Sequence, residues 1–380
     1  MREKIMKKIL ILYGSYGGGH LSAAKTLQTY FQENYQDVNV EIIDCIEYIN
    51  KHLNKVSTEA YKEFAKKMPW VWKRVYNKSK SGALAFLSTT NNKILSLKLK
   101  KLLEEEKPDL VISTHPFATT MCAYLKEKEK VNFKLATILT DYHIHPQWLV
   151  LNLYNDVYFV ANEQMKMDMI SYNIDDDKIF VSGIPISERF LEPKNKKEIF
   201  DYFELDENKR TLLFFAGGEF GLGRNTTFIL FRAFIRLFPD MQIVAISGKN
   251  KNMNEKFKKI IDQTNAHDRV KLLEYTDKVP ELMYIATAIV TKPGGLTVSE
   301  ALASKKPLIL INPIPGQEEE NAQFLVDNNV AILIKDSDNI SRTIKYLFKA
   351  DKIENMGKSI DILSKPDSTE FICDNVLKLI

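Results

Sequence analysis

"KKILILYGSYGGGHLSAAKTL", Lys7 to Leu27, runs from a short apolar stretch through four glycines and one histidine into an amphipathic stretch. That order, β-rich segment, glycine loop, helix, is the opening unit of a parallel α/β sheet. The glycines invite a phosphate, but the spacing is wrong. Gly14 and Gly19 stand apart as in a P-loop, yet His20 and Leu21 occupy the places of its Lys and Ser/Thr. Gly14-Ser15-Tyr16 also lacks the second glycine of the dinucleotide fingerprint. What remains is a turn with little side-chain bulk and an imidazole at a helix N-terminus. There the helix dipole disfavours the imidazolium, which suits a neutral general base. A capping or core histidine is the plain alternative.

The same alternation continues along the chain. Strands are predicted at Lys7–Tyr13, Val38–Asp44, Asp109–Thr114, Lys134–Leu139, Asp156–Val160 and Lys178–Ser182. A second set follows at Thr211–Phe215, Met241–Ile246, Val270–Leu272, Ala288–Thr291, Pro307–Ile311 and Ala331–Ile334. Each set is large enough for its own doubly wound sheet. Two domains also suit 380 residues, of which 45% are hydrophobic and 11% aromatic. Prolines and charge between Pro185 and Pro193 break the alternation and place the hinge there. The segments are therefore expected to be 1–188, 189–365 and a final helix, 366–380, packing back on the first domain.

Composition excludes several classes. No window reaches the roughly 18 apolar residues of a spanning helix. Ile9 to Tyr13 is too short for a signal-peptide core, so the start is predicted to be a strand. Cys45, Cys122 and Cys373 have no metal or disulfide spacing, which points to a reducing, cytoplasmic setting. Charge is uneven: from Lys51 to Lys101 there are thirteen Lys and Arg against two acids. Within that stretch, Lys66, Lys67, Lys73 and Arg74 flank Trp70 and Trp72, a combination suited to an anionic membrane surface. A solvated helical face with both tryptophans in the core is the alternative. Nucleic acid has no recognised motif here.

Ligands of open α/β sheets lie beyond the carboxyl ends of strands, so the loops after strands matter most. In "FFAGGEFGLGRN", Gly217, Gly218 and Gly223 leave backbone amides accessible and Arg224 adds charge, a setting for a pyrophosphate. In "TKPGGLTVSEAL", Lys292, Gly294 and Gly295 end a strand, Thr297 opens a helix, and Glu300 can accept both hydroxyls of a ribose. In "NPIPGQEEENAQFL", Gln317, Glu318 and Asn321 offer partners for sugar hydroxyls. The triplet Asp175–Asp177 contains a DxD pattern but sits in a turn before a strand and is expected to face solvent.

Taken with "GGGHLSAA" and "TDYHIHPQW", these stretches resemble a family of lipid-modifying glycosyltransferases. Its members are the monogalactosyldiacylglycerol synthases and the processive diacylglycerol β-glucosyltransferases. More distantly, the chain is similar to the transferase that adds N-acetylglucosamine to the peptidoglycan lipid precursor. The resemblance implies the GT-B architecture: two Rossmann-like domains with parallel sheets facing across a cleft. It implies inverting, metal-independent transfer from UDP-glucose or UDP-galactose to diacylglycerol, at the inner face of the membrane and with no required cofactor. Gly19, Gly217, Gly218, Gly223, Arg224, Lys292, Gly294, Gly295, Thr297, Glu300, Gln317, Glu318 and Asn321 would then serve the donor. His20 would be the base, with Asp141 as its competitor or orienting partner. Trp148 would line the acceptor path or anchor at the interface. His143 and His145 lack a third metal ligand, so no metal is assigned. The alternatives are transfer to a polyprenyl-pyrophosphate-linked acceptor, a UDP-sugar epimerase, or a protein that binds UDP-sugars without catalysis.

Replacing Lys66, Lys67, Lys73 and Arg74 together by Gln is expected to weaken binding to anionic vesicles, at about 1 kcal/mol per cation removed. Flotation at low salt measures this. Undiminished binding would remove the patch from the membrane account.

Overall fold

The computed structural model describes residues 6–15, 18–49, 96–216, 225–248, 250–335 and 339–380. The chain forms two compact units, Met1–Ile186 with Lys365–Ile380, and Ser187–Ser364. Each is built on a six-stranded, wholly parallel sheet.

In the first unit the strands are β1 (Lys7–Tyr13), β2 (Val38–Asp44), β3 (Leu110–Ser113), β4 (Lys134–Ile138), β5 (Val157–Val160) and β6 (Ile179–Val181). They lie in the order β2-β1-β3-β4-β5-β6. Helix α1 (Gly18–Asn34) links β1 to β2, and α2 (Cys45–Ile49) follows β2. A helix over 96–106, here α3, precedes β3, and α4 (Pro116–Lys128) joins β3 to β4. Helix α5 (Glu163–Ser171) lies between β5 and β6. Side-chain alternation sends Ile9 and Ile11 to one core and Leu10 and Leu12 to another. Both faces of β1 are therefore covered, which explains its unbroken apolar run.

The second unit contains β7 (Thr211–Phe215), β8 (Gln242–Ile246), β9 (Val270–Leu273), β10 (Ala288–Thr291), β11 (Leu308–Ile311) and β12 (Ala331–Ile334). Their order is β12-β11-β10-β7-β8-β9. Around them lie α6 (Lys196–Tyr202), α7 (Asn225–Leu237), α8 (Lys251–Thr264), α9 (Val279–Ile285), α10 (Gly295–Ala303), α11 (Gln317–Asp327), α12 (Ile340–Leu347) and α13 (Ala350–Leu363). Phe214, Phe231, Phe234 and Phe257 anchor the core, with Phe231 and Phe257 edge-to-face at 4.4 Å between centroids.

The last helix, α14 (Ser368–Leu377), belongs to the first unit. Ile372, Cys373 and Val376 enter the core shared with α1, and the Tyr35 hydroxyl donates to Asp374. Where the chain leaves and re-enters this unit, the two segments are laced together. Ser368 Oγ donates to the Ile184 carbonyl at 2.9 Å, and Thr369 Oγ1 donates to the Ile186 carbonyl at 2.7 Å. Gly183 makes that crossing possible. Its φ is +82°, and a Cβ there would stand 2.5 Å from Lys365 Cβ. Among the described residues no helix is long and apolar enough to cross a membrane.

Gly183→Ala combines that clash with a left-handed backbone, so a loss of about 2–3 kcal/mol is expected. Urea unfolding measures it, and an unchanged midpoint would contradict the crossing geometry.

Candidate functional site

Strand order reverses beside β1 in the first sheet and beside β7 in the second. At such points the helices on either side leave opposite faces of the sheet, and the loops between them part to form a crevice. The β1 and β3 loops should therefore hold chemistry in the first unit, and the β7 and β10 loops in the second.

In the first unit this is where His20 lies, in the opening turn of α1 and half-buried. Its Nδ1 is 2.6 Å from the Thr114 carbonyl oxygen, just past β3. A carbonyl only accepts, so Nδ1 carries the proton and Nε2 is the basic nitrogen. Thr114 Oγ1 donates back to the His20 carbonyl at 3.1 Å, and Thr140 Oγ1 stands 3.1 Å from Nδ1. Burial lowers the imidazole to about 4, against an opposing contribution from the Thr114 hydrogen bond. The ring is therefore neutral near pH 7. Gly19 lies beside it in the same turn.

His115 sits against His20, the ring centroids 4.6 Å apart and the planes at 79°. It is 5% exposed, and burial first, then the neighbouring His20, hold it well below the ordinary imidazole range. Thr114, His115 and Thr140 were not identified as site residues from the sequence. The signal was present in "STHP", which closes a strand and opens a helix at the switch point, but it has no glycine signature.

Asp141 is 7% exposed and follows Thr140. On the same loop, His145 Nδ1 accepts the Gln147 N–H at 3.2 Å as a helix cap, and His143 Nδ1 is 3.0 Å from the Ile144 carbonyl oxygen. Trp148 was expected on the acceptor path or at the membrane interface. It is instead only 2% exposed, in a short 3-10 turn packed on α4. Asp175, Asp176 and Asp177 face solvent, with Asp176 paired to Lys166 at 2.8 Å.

In the second unit, Lys292 and Gly294 follow β10, and Gly295 and Thr297 lie in the first turn of α10. Gly294 caps that helix without a side chain, so its first amides receive no side-chain cap among the described residues. Glu300 lies one turn further on. Among the described residues no group hydrogen-bonds or ion-pairs with its carboxylate, and burial pushes it up to about 8. A half-buried acid of this kind gains partners when hydroxyls arrive.

The acidic helix behaves differently from expectation. Glu318, expected on the sugar, is 8% exposed, ion-paired with Lys292 and accepting the Ile314 N–H at 2.9 Å. Two of the charges assigned to the donor are thus already paired to each other. Asn321, also expected on the sugar, is fully buried and donates to the Pro293 carbonyl at 3.1 Å. It braces the β10 loop. Gln317 is half-buried at the start of α11. Gly217, Gly218, Gly223 and Arg224 lie outside the described residues, as do Lys66, Lys67, Trp70, Trp72, Lys73 and Arg74. Among the described residues no group of three or more His, Cys, Asp or Glu could hold a metal ion.

Residues 20–186 match the family described as monogalactosyldiacylglycerol (MGDG) synthase, and residues 229–366 match the glycosyltransferase family 28 C-terminal domain. Over 377 residues the chain is 32% identical to a processive diacylglycerol beta-glucosyltransferase of Bacillus cereus (strain ZK / E33L), covering 97% of this chain and 93% of that protein. The protein of the same name from Bacillus thuringiensis (strain Al Hakam) is 32% identical over 378 residues, with 98% and 93% covered. Among solved structures, MurG of Acinetobacter baumannii is similar with a TM-score of 0.66 at 12% identity, covering 98% of this chain and 99% of that one. UDP-GlcNAc 2-epimerase of Neisseria meningitidis, bound to UDP-GlcNAc, has a TM-score of 0.62 at 17% identity, with 98% and 100% covered. These structural likenesses show the fold, GT-B with two Rossmann-like domains.

Glu300→Gln tests the buried acid through stability. The carboxyl is raised from 4.5 to about 8 by folding. The folded chain thus keeps a proton that the unfolded chain loses, and stability falls as pH rises through that window. The Gln variant lacks this penalty, so its melting temperature should gain on wild type by a few degrees between pH 5 and 8. A constant difference across the range would show that Glu300 is not desolvated.

Proposed function

The chain belongs to the family of the processive diacylglycerol beta-glucosyltransferases, and from that membership we propose that it transfers glucose from UDP-glucose to diacylglycerol with inversion at the anomeric carbon. Glucose is preferred over galactose because the curated relatives are named for it. The products are mono- and diglucosyldiacylglycerol. No metal or other cofactor is assigned, and the protein acts as a peripheral enzyme at the cytoplasmic face of the membrane, docked through the basic aromatic stretch that includes Trp70 and Trp72.

The observation that carries the mechanism is the hydrogen bond between His20 Nδ1 and the Thr114 carbonyl. It leaves Nε2 as the nitrogen that takes the acceptor hydroxyl's proton. The hydroxyl oxygen then bonds to the anomeric carbon while the bond from that carbon to the UDP oxygen breaks, and UDP departs with the electron pair. Developing charge on the leaving diphosphate is met by the open amides of α10 and by the Gly217–Arg224 loop, which replace a metal. Glu300 takes the ribose hydroxyls, Gln317 and Glu318 border the sugar, and Lys292 stays paired with Glu318 until the donor arrives. Asp141, next to Thr140, orients the acceptor side.

His20→Ala should keep UDP binding by calorimetry yet lose glucosyl transfer by more than about a hundredfold, the scale for removing a general base. Lipid chromatography of the products measures the loss. Turnover at the wild-type rate would remove His20 from the mechanism.

A further inference from the structure

His115 has no part in the transfer as described, yet the region around His20 is organised about it. We infer that His115 is a positioning residue for His20: its ring and main chain hold the Thr114 carbonyl against His20 Nδ1, so that the proton stays on that nitrogen and Nε2 stays basic. The inference rests on the reading of His20 as the base.

The His115 ring is confined on several sides. A Cβ on Gly14 would stand 3.0 Å from His115 Cγ and 3.1 Å from Cδ2, so the ring fills the space that the glycine leaves. Phe117 stacks on it at 5.9 Å between centroids, and His20 meets it at 4.6 Å. His115 Nδ1 accepts the Phe117 N–H at 3.2 Å, capping α4. The main chain is held as firmly. Ser113 Oγ donates to the His115 carbonyl at 2.9 Å, and Thr119 Oγ1 donates to Ser113 Oγ at 2.9 Å. Thr119 Oγ1 is 3.2 Å from Thr137 Oγ1, which donates to Asn155 Oδ1 at 2.7 Å. The Thr114 carbonyl thus projects from a peptide fixed by buried partners on both sides.

This matters because His20 has two candidate partners at Nδ1. Thr140 Oγ1, 3.1 Å away, can donate as well as accept, and as a donor it would stabilise the tautomer with the proton on Nε2. That tautomer cannot take a proton from an acceptor hydroxyl. The Thr114 carbonyl can only accept, so the choice depends on holding it in place. Among the described residues the titratable group packed against His20 is His115, on the loop after β3. Two rings at 4.6 Å cannot both be charged in a buried setting. His115 therefore remains neutral when His20 becomes the imidazolium.

His115→Asn separates positioning from capping, because the Asn amide oxygen can still accept the Phe117 N–H. Two readouts are taken: ring nitrogen chemical shifts of His20 without substrate, and kcat, KM and the pH profile of glucosyl transfer. The expected result is a mixture of His20 tautomers, kcat lower by about tenfold or more, an unchanged KM for UDP-glucose, and an acid limb moved upward as water reaches His20. A single Nδ1–H tautomer with unchanged kcat overturns the inference. So does a lowered kcat with tautomer and pH profile intact, which marks a merely structural role. Should the variant not fold, Gly14→Ala displaces the ring without deleting it and should shift the tautomer in the same direction. An unshifted tautomer there also overturns the inference. Absence of lipid glucosylation by the wild type would sink the proposed function, while the nitrogen shifts would still decide the role of His115.

Discussion

Strands covered by helices on both faces leave polar chemistry only one place to collect, at the ends of the strands. In each sheet, the reversal of strand order beside β1 and β7 then selects which ends stand open. His20, Thr114 and His115 gather at one such opening and Lys292, Gly294 and Glu300 at the other. Their placement follows from the order of the strands, and the loop sequences supply the chemistry.

The two openings bury titratable groups in opposite senses. Burial favours the uncharged form in each, so His20 is a neutral imidazole and Glu300 holds its proton near pH 7. Neither arrangement favours the empty fold. Both lower the reorganisation needed when a substrate supplies the missing charge or hydroxyls, which is why such groups concentrate at functional sites. By contrast, Asp156 is saturated by Lys126, Lys134 and the Leu135 N–H, and reads as structural.

The twelve strands of the described residues were legible in the sequence: most are short apolar runs buried on both faces, while β2 alternates buried and exposed residues. The sequence singled out His20 and Glu300 because each carries a distinctive chemistry beside glycines, and both lie at the strand-order reversals. Pairing across the chain was not legible. The partnership of His20 with Thr114 spans 94 residues and involves a main-chain carbonyl, which no residue type announces. Burial misled in the other direction. Trp148 lies in a short 3-10 turn and Asn321 in helix α11; both side chains are buried, and neither residue type announces which way it faces. Glu318 was identified as a donor-side acid without its internal partner, Lys292.

The account comes together in one bond, the glycosidic link made on the acceptor. Incubation of the protein with UDP-glucose and vesicles containing diacylglycerol, followed by proton NMR of the extracted lipid, reads donor, acceptor and stereochemistry together. The proposed inversion at the anomeric carbon predicts β-glucosyldiacylglycerol. An α-linked lipid, or an epimerised UDP-sugar with no glycolipid, would contradict it.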